Sequence, residues 1–164
     1  MNRRSKLFVL SGLAAAVIAV VIAWLHYSGT APVRLAAQSC DAGLWKHVYE
    51  PQRLRVIEAC TAVEGQVVSV YRAADGDLHI ALDPDHASVL NFKNELHADG
   101  YLIVEVICEH TPADDEPKSA CAGFVPQVAA PKTGDRIPVT GAYVTDREYG
   151  WNEVHPVTRI ETLR

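Results

Sequence analysis

GDRIPVTGAYVTDREYGWNEVHPVTRIE, residues 134–161, is the stretch whose reading decides the fold. Arg136–Thr145 and Glu153–Glu161 carry apolar and β-branched residues with the spacing of strands. The charged segment between them, holding Tyr149, Gly150 and Trp151, reads as their turn. The remaining strand signals lie upstream, and this pair is expected to close them into a small barrel.

Working outward, Tyr101–Cys108 is apolar except for Glu105 and predicts a third strand. Asp77–Asp83 alternates, with Leu78, Ile80 and Leu82 on one face and Asp77, His79, Ala81 and Asp83 on the other. Arg55–Arg72 is the longest run. Its alternation breaks at Val67-Val68, just after Gly65, as a bulge or sharp bend requires. Asp75-Gly76 between two alternating runs is a strong hairpin signal. Pro84 ends the second strand, and residues 85–99 form a polar connection with a helical turn expected near Ala87–Asn91. Residues 109–133, rich in Pro and acids, are expected to form a covering loop that includes the acidic run Asp114-Asp115-Glu116. At the other end, Asp41 is placed to N-cap a short turn carrying Leu44, Trp45, Val48 and Tyr49, limited by Pro51.

Residues 7–25, LFVLSGLAAAVIAVVIAWL, contain no charge, and as a helix would span about 28 Å, close to the thickness of a bilayer's hydrocarbon. Arg3, Arg4 and Lys6 precede them. The positive-inside rule therefore predicts a cytoplasmic N-terminus at 1–6, a transmembrane signal-anchor at 7–25, a linker at 26–39 and an extracytoplasmic domain at 40–164. The expected protein is therefore a single-pass one of the cell membrane. Cleavage as a signal peptide and a buried soluble helix are the competing readings. A signal-peptide core is usually about 7–15 residues with small residues close behind, whereas His26-Tyr27 follow here.

Charge narrows the partners. The chain has fifteen Lys and Arg against twenty Asp and Glu. Without Arg3, Arg4 and Lys6, twelve basic residues face all twenty acids, a balance of −8. That opposes nucleic-acid binding, which draws on cationic contacts to phosphate. Cys40, Cys60, Cys108 and Cys121 all lie beyond the apolar run, and an even count in an exported domain points to disulfides. Three pairings are possible, and locality favours Cys40–Cys60 with Cys108–Cys121. A zinc site is the rival, but the common Cys-x-x-Cys spacing is missing.

Five strands, a bent first strand carrying Gly65, a tight turn after it and a long link between strands three and four resemble an OB-fold over about 56–161. The predicted class is thus all-β, a five-stranded OB-like barrel with short helical turns behind one N-terminal transmembrane helix. The string Val139-Thr140-Gly141-Ala142-Tyr143-Val144 is similar to the Gly-containing fourth strand of such barrels. Cys60–Gly65, Asp75–His79, Leu102–Glu105 and Gly150–Pro156 (GWNEVHP) also resemble a family of exported bacterial and archaeal domains without an assigned activity. That family often has His just before the Gly-Trp pair, where this chain has Tyr149.

The inward set of the fifth strand is expected to be Val154, Pro156, Thr158 and Ile160, leaving Glu153 and His155 together on the other face. Asp77 and His79 share a face in the same way, and the strand order that the OB resemblance implies sets Glu105 between both pairs. Asp77, His79, Glu105, Trp151, Glu153 and His155 are therefore the candidate ligand-binding residues. His79, Glu105, Glu153 and His155 are the candidates for a divalent metal or for acid–base work. The structural alternative is that these pairs only brace the hairpin and the Trp151 turn. Trp151 is expected to plug a barrel end, and Tyr71, Tyr101 and Tyr143 to lie in the core or its girdle. His86, His97 and His110 are expected to be solvated. The chain carries none of the common nucleophile, phosphate-loop or zincin motifs, and no catalytic residue is assigned. The leading expectation is a membrane-anchored binding or assembly module for an envelope protein, a glycan or a small ligand, needing no cofactor. A metal-dependent hydrolase is the alternative, and a nucleic-acid-binding OB domain a second one.

Overall fold

The computed structural model describes residues 39–161. The segments predicted at 1–6 and 7–25, and most of the linker at 26–39, lie outside them. Among the described residues no helix is long and apolar enough to cross a membrane. The described chain is all-β with short helical pieces. Its strands are β1 (Leu54–Arg72), β2 (Leu78–Pro84), β3 (Leu102–Val106), β4 (Arg136–Asp146) and β5 (Asn152–Ile160). The helices are α1 (Phe92–His97) and α2 (Lys118–Cys121), and Ala42–His47, Pro51–Arg53 and Ala87–Val89 form short 3-10 segments.

The strands close in the order β1-β2-β3-β5-β4. All pairings are antiparallel except β3 with β5. The length of β1 lets it pair with both β2 and β4, and it bends where the register slips between Val67 and Ser69, at the expected break. Gly65 sits at the close approach of β1 to β2, where a Cβ would lie 2.3 Å from the Asp83 carbonyl oxygen. Gly76 takes a φ of 100° in the turn that follows β1, a conformation costly for any side chain.

The alternating residues converge inside. Val63, Val67, Leu78, Ile80, Leu82, Leu102, Val104, Val106, Ile137, Val139, Val154 and Val157 form the barrel core. On the opposite face of β4, Ala142 and Val144 join Val48, Leu54, Ile107 and Cys108 in a second apolar cluster, capped by Leu44, Trp45, Cys121 and Phe124. This outer layer is tied down by two disulfides, Cys40–Cys60 and Cys108–Cys121, the pairs that locality favours. They suggest an oxidising, extracytoplasmic environment.

Several expectations need correction. In β5 the inward residues are Val154 and Val157, with Ile160 packed at the margin. Pro156 and Thr158 are not among them, because register shifts around Gly141 break the alternation. Cys108 turns to a φ of 52°, so β3 ends at Val106. Asp77 precedes β2 instead of starting it. The helix α1 falls where a polar connection was expected. Asn91 caps it by accepting from the N–H groups of Lys93 and Asn94, and the Asn94 side chain accepts from the Asn91 N–H in return.

Candidate functional site

Strand pairing assembles the polar groups. His79 lies opposite Glu105 across β2 and β3. The parallel register of β3 and β5 sets Ile103 beside Glu153 and Val104 beside Val154. The next step in that register carries Glu105 alongside His155. Odd-numbered positions on β2 and β3, and on β5 as far as His155, point away from the barrel core, so His79, Glu105, Glu153 and His155 share its outer face, and Asp77 joins them from the turn.

That face is not open to water. Asp77, Glu105, Glu153 and His155 are exposed by only 3%, 1%, 0% and 1%. The sequence reading oriented these residues correctly relative to the core, but the fold leaves them buried. His79 stands at the edge, with its side chain 12% exposed.

His155 is the hub. Its Nδ1 hydrogen-bonds Glu153 Oε1 at 3.2 Å and lies 2.9 Å from Glu105 Oε2, and its Nε2 faces Asp77 Oδ2 at 3.8 Å. The other oxygen of Glu153 accepts the Trp151 indole N–H at 2.8 Å. Asp77 Oδ1 accepts the Cys108 backbone N–H at 2.7 Å. His79 Nε2 lies 3.4 Å from Glu105 Oε1, and its Nδ1 is 2.7 Å from the Tyr71 hydroxyl.

Burial and crowding move the ionisations apart. Burial pushes Asp77 up to about 7, against the pull of His155. Burial and the neighbouring Glu105 charge push Glu153 up to about 7 as well. Burial also opposes the Glu105 charge, but the positive charge and hydrogen bonding of His155 win and hold it at about 2. Burial would lower His155, yet Glu105 and Glu153 carry it well above the ordinary imidazole range. The described protein thus keeps one dominant buried ion pair, Glu105 with His155, flanked by two carboxyls that resist ionisation.

An aromatic rim borders this cluster. Tyr149 stacks on Trp151 with ring centroids 4.4 Å apart and planes inclined by 9°. Tyr71 packs on the His79 ring and remains 53% exposed, so it is not a core residue. Tyr143, by contrast, does pack against the barrel core. Trp151 is half-buried and anchored to Glu153, which makes it part of the rim more than a barrel plug. His86 and His97 are exposed as expected. His110 is not fully solvated: its Nε2 meets the Ala73 carbonyl at 2.9 Å, bracing the β1–β2 turn.

Two supporting residues escaped sequence reasoning. Asn94 is fully buried. Its side chain accepts the Asn152 N–H at 3.0 Å and donates to the Asn152 carbonyl at 2.9 Å, so it replaces a strand partner at the start of β5. Asp146 is fully buried too, accepts the N–H groups of Glu148 and Tyr149 through Oδ1, and meets Arg53 Nε at 3.1 Å through Oδ2. It therefore shapes the turn that presents Tyr149 and Trp151. An Asp at the end of a strand, ahead of a Gly-containing turn, was the one legible signal. No protein-family model matches this chain, and no curated protein sequence matches it.

Proposed function

We propose that this chain is a membrane-anchored, extracytoplasmic OB-like module that binds a glycan on the exposed aromatic rim bordering the buried outer face of β2 and β3. The observation that carries the reading is the flat Tyr149–Trp151 stack and the exposed Tyr71, with the edge of His79 as the polar group beside them. Aromatic faces accept the apolar faces of sugar rings, and a polar group beside them orients hydroxyls. OB-type barrels commonly take ligands on the face of strands two and three, between the loops after strands one and four. The strand order and the position of the Tyr149–Trp151 turn agree with that arrangement. The predicted helix at 7–25 would hold the module at the membrane, and the two disulfides suit the oxidising side.

The hydrolase reading is weaker, because the carboxylates it would use are almost wholly buried and a substrate could not reach them. A balance of −8 beyond the leader argues against nucleic acid on the same rim. The test is a titration of the detergent-solubilised full chain with soluble cell-wall oligosaccharides, followed by tryptophan fluorescence and calorimetry. Saturable binding that Trp151→Ala and Tyr149→Ala weaken by at least about tenfold, about 1.4 kcal/mol, supports the reading. Absence of binding across neutral, acidic and aminated glycans would overturn it. Capture of an envelope protein through the same rim would replace the glycan with a protein partner.

A further inference from the structure

Asp77, Glu105 and His155 can each direct one ligand atom into a shared volume, these atoms lying within 4.8 Å of one another. They come from the β1–β2 turn, β3 and β5, so the convergence is a product of the fold and not of local sequence. His155 Nε2 is buried without a hydrogen-bond partner, and Glu105 Oε2 has only its ion-pair contact with His155 Nδ1 at 2.9 Å. Native proteins rarely leave such atoms unmatched. The remaining polar atoms are committed elsewhere: Asp77 Oδ1 to Cys108, and both Glu153 oxygens to Trp151 and His155.

We propose that Asp77, Glu105 and His155 hold a divalent transition-metal ion, with His155 binding through Nε2 and Glu153 orienting its ring. The 3.8 Å between His155 Nε2 and Asp77 Oδ2 is close to the ~3.3 Å that separates two ligands about 2.0 Å from a tetrahedral ion. With metal bound, Glu153, 3.2 Å from Nδ1, would accept the Nδ1–H while Nε2 gives up its proton to the ion, the carboxylate–histidine–metal arrangement of a second shell. Charge points the same way. Three carboxyl groups surround a single imidazole with almost no solvent, and the nearest guanidinium, Arg53, is engaged by Asp146 at 3.1 Å. A dication would let these carboxyl groups ionise together where burial otherwise opposes their ionisation. The mixed nitrogen and oxygen set suits Zn²⁺, Mn²⁺ or Fe²⁺, and is poor in oxygens for Ca²⁺ or Mg²⁺. His79 Nε2, also without a hydrogen-bond partner, is placed at the edge to complete the coordination or to orient Glu105. The neighbouring grouping of Asp77 with Cys108 and Cys121 offers no thiolate, because those sulfurs are joined in a disulfide.

The site does not depend on the glycan reading, and its test uses metal alone. The full-length chain is purified in detergent without a metal-binding tag, stripped by chelator and titrated with Zn²⁺. One equivalent per chain, a rise in Tm, and the ligand-field absorption of a four-coordinate site on Co²⁺ substitution are expected. Glu153→Gln should weaken Zn²⁺ about 10–100-fold, as removal of an orienting carboxylate does, and Asp77→Asn or Glu105→Gln by at least as much. His86→Ala and His97→Ala, at exposed positions, should bind as wild type does. Should the buried variants fail to fold, the wild-type titration decides alone. Sub-stoichiometric metal with no change in Tm overturns the site, and so does Zn²⁺ binding equally tight in a folded Asp77→Asn protein.

Discussion

At the scale of single residues, His155 sets the character of the molecule, because one imidazole serves three carboxyl groups. In the chelator-treated protein the proton balance predicts an unusual pH profile. Asp77 and Glu153 have folded-state values of about 7, above their ordinary 3.8 and 4.5. Their contribution is therefore fully present below those ordinary values and is lost as pH rises through about 7. His155, also raised, adds a loss in the same direction at higher pH. Glu105 runs the other way: held at about 2, it contributes above its ordinary 4.5, and that contribution is lost as pH falls through about 2. The urea midpoint of the metal-free protein should thus decline between about pH 5 and pH 8, where many globular proteins are near their maximum. A flat or rising midpoint over that range would contradict this assignment of protons. The Glu153–His155 and Asp77–His79 pairs were legible from Glu-x-His and Asp-x-His spacing, whereas Glu105 was set between them only by the strand order that the OB resemblance implies. Their burial was not legible, since alternation says which face turns from the barrel core and nothing about what lies over it.

At the scale of elements, β1 is the strand on which closure depends, and Gly65 is its tightest point. A Cβ there would meet the Asp83 carbonyl at 2.3 Å and Leu82 Cγ at 2.9 Å. Backbone cannot yield as a flexible side chain can, so Gly65→Ala should cost about 3 kcal/mol, the upper end of overpacking penalties. Denaturant unfolding measures it; a loss below about 0.5 kcal/mol would mean that β1 and β2 separate more easily than their register implies. The break after Gly65 could be read directly, because two successive valines violate period two. The shift around Gly141 could not. It arises in the pairing of β4 with β5, and it replaced Pro156 with Val157 in the core. The helix α1 was missed for a related reason: its support is an Asn91–Asn94 cap and a bond from Asn94 to Asn152, fifty-eight residues away.

At the scale of the whole molecule, the described chain is a barrel with one wall clad from outside. The cladding consists of the Ala42–His47 turn and the segment around α2, each stapled by a disulfide. Removing Cys40–Cys60 through a Cys40→Ser/Cys60→Ser pair should cost about 3 kcal/mol in the chain-entropy account. Loosening that segment uncovers Ala142 and Val144 beneath Leu44 and Trp45. Binding of a hydrophobic dye should therefore increase before the barrel unfolds. Unchanged dye binding and an unchanged midpoint would show that packing alone holds the layer in place.

Composition and local pattern by themselves determined the five strands, the Asp-Gly hairpin and the acidic balance, and favoured the pairing of neighbouring cysteines that the structure then shows. Each rests on residues close in sequence, where period, turn chemistry and short loops act. Only the tertiary structure decided that the outer face of β2, β3 and β5 is sealed, that Asp77 joins Glu105 and His155, and that Asn94 and Asp146 hold the rim. Those outcomes depend on contacts between distant segments, whose energy lies in burial and register and leaves no periodic mark on the chain.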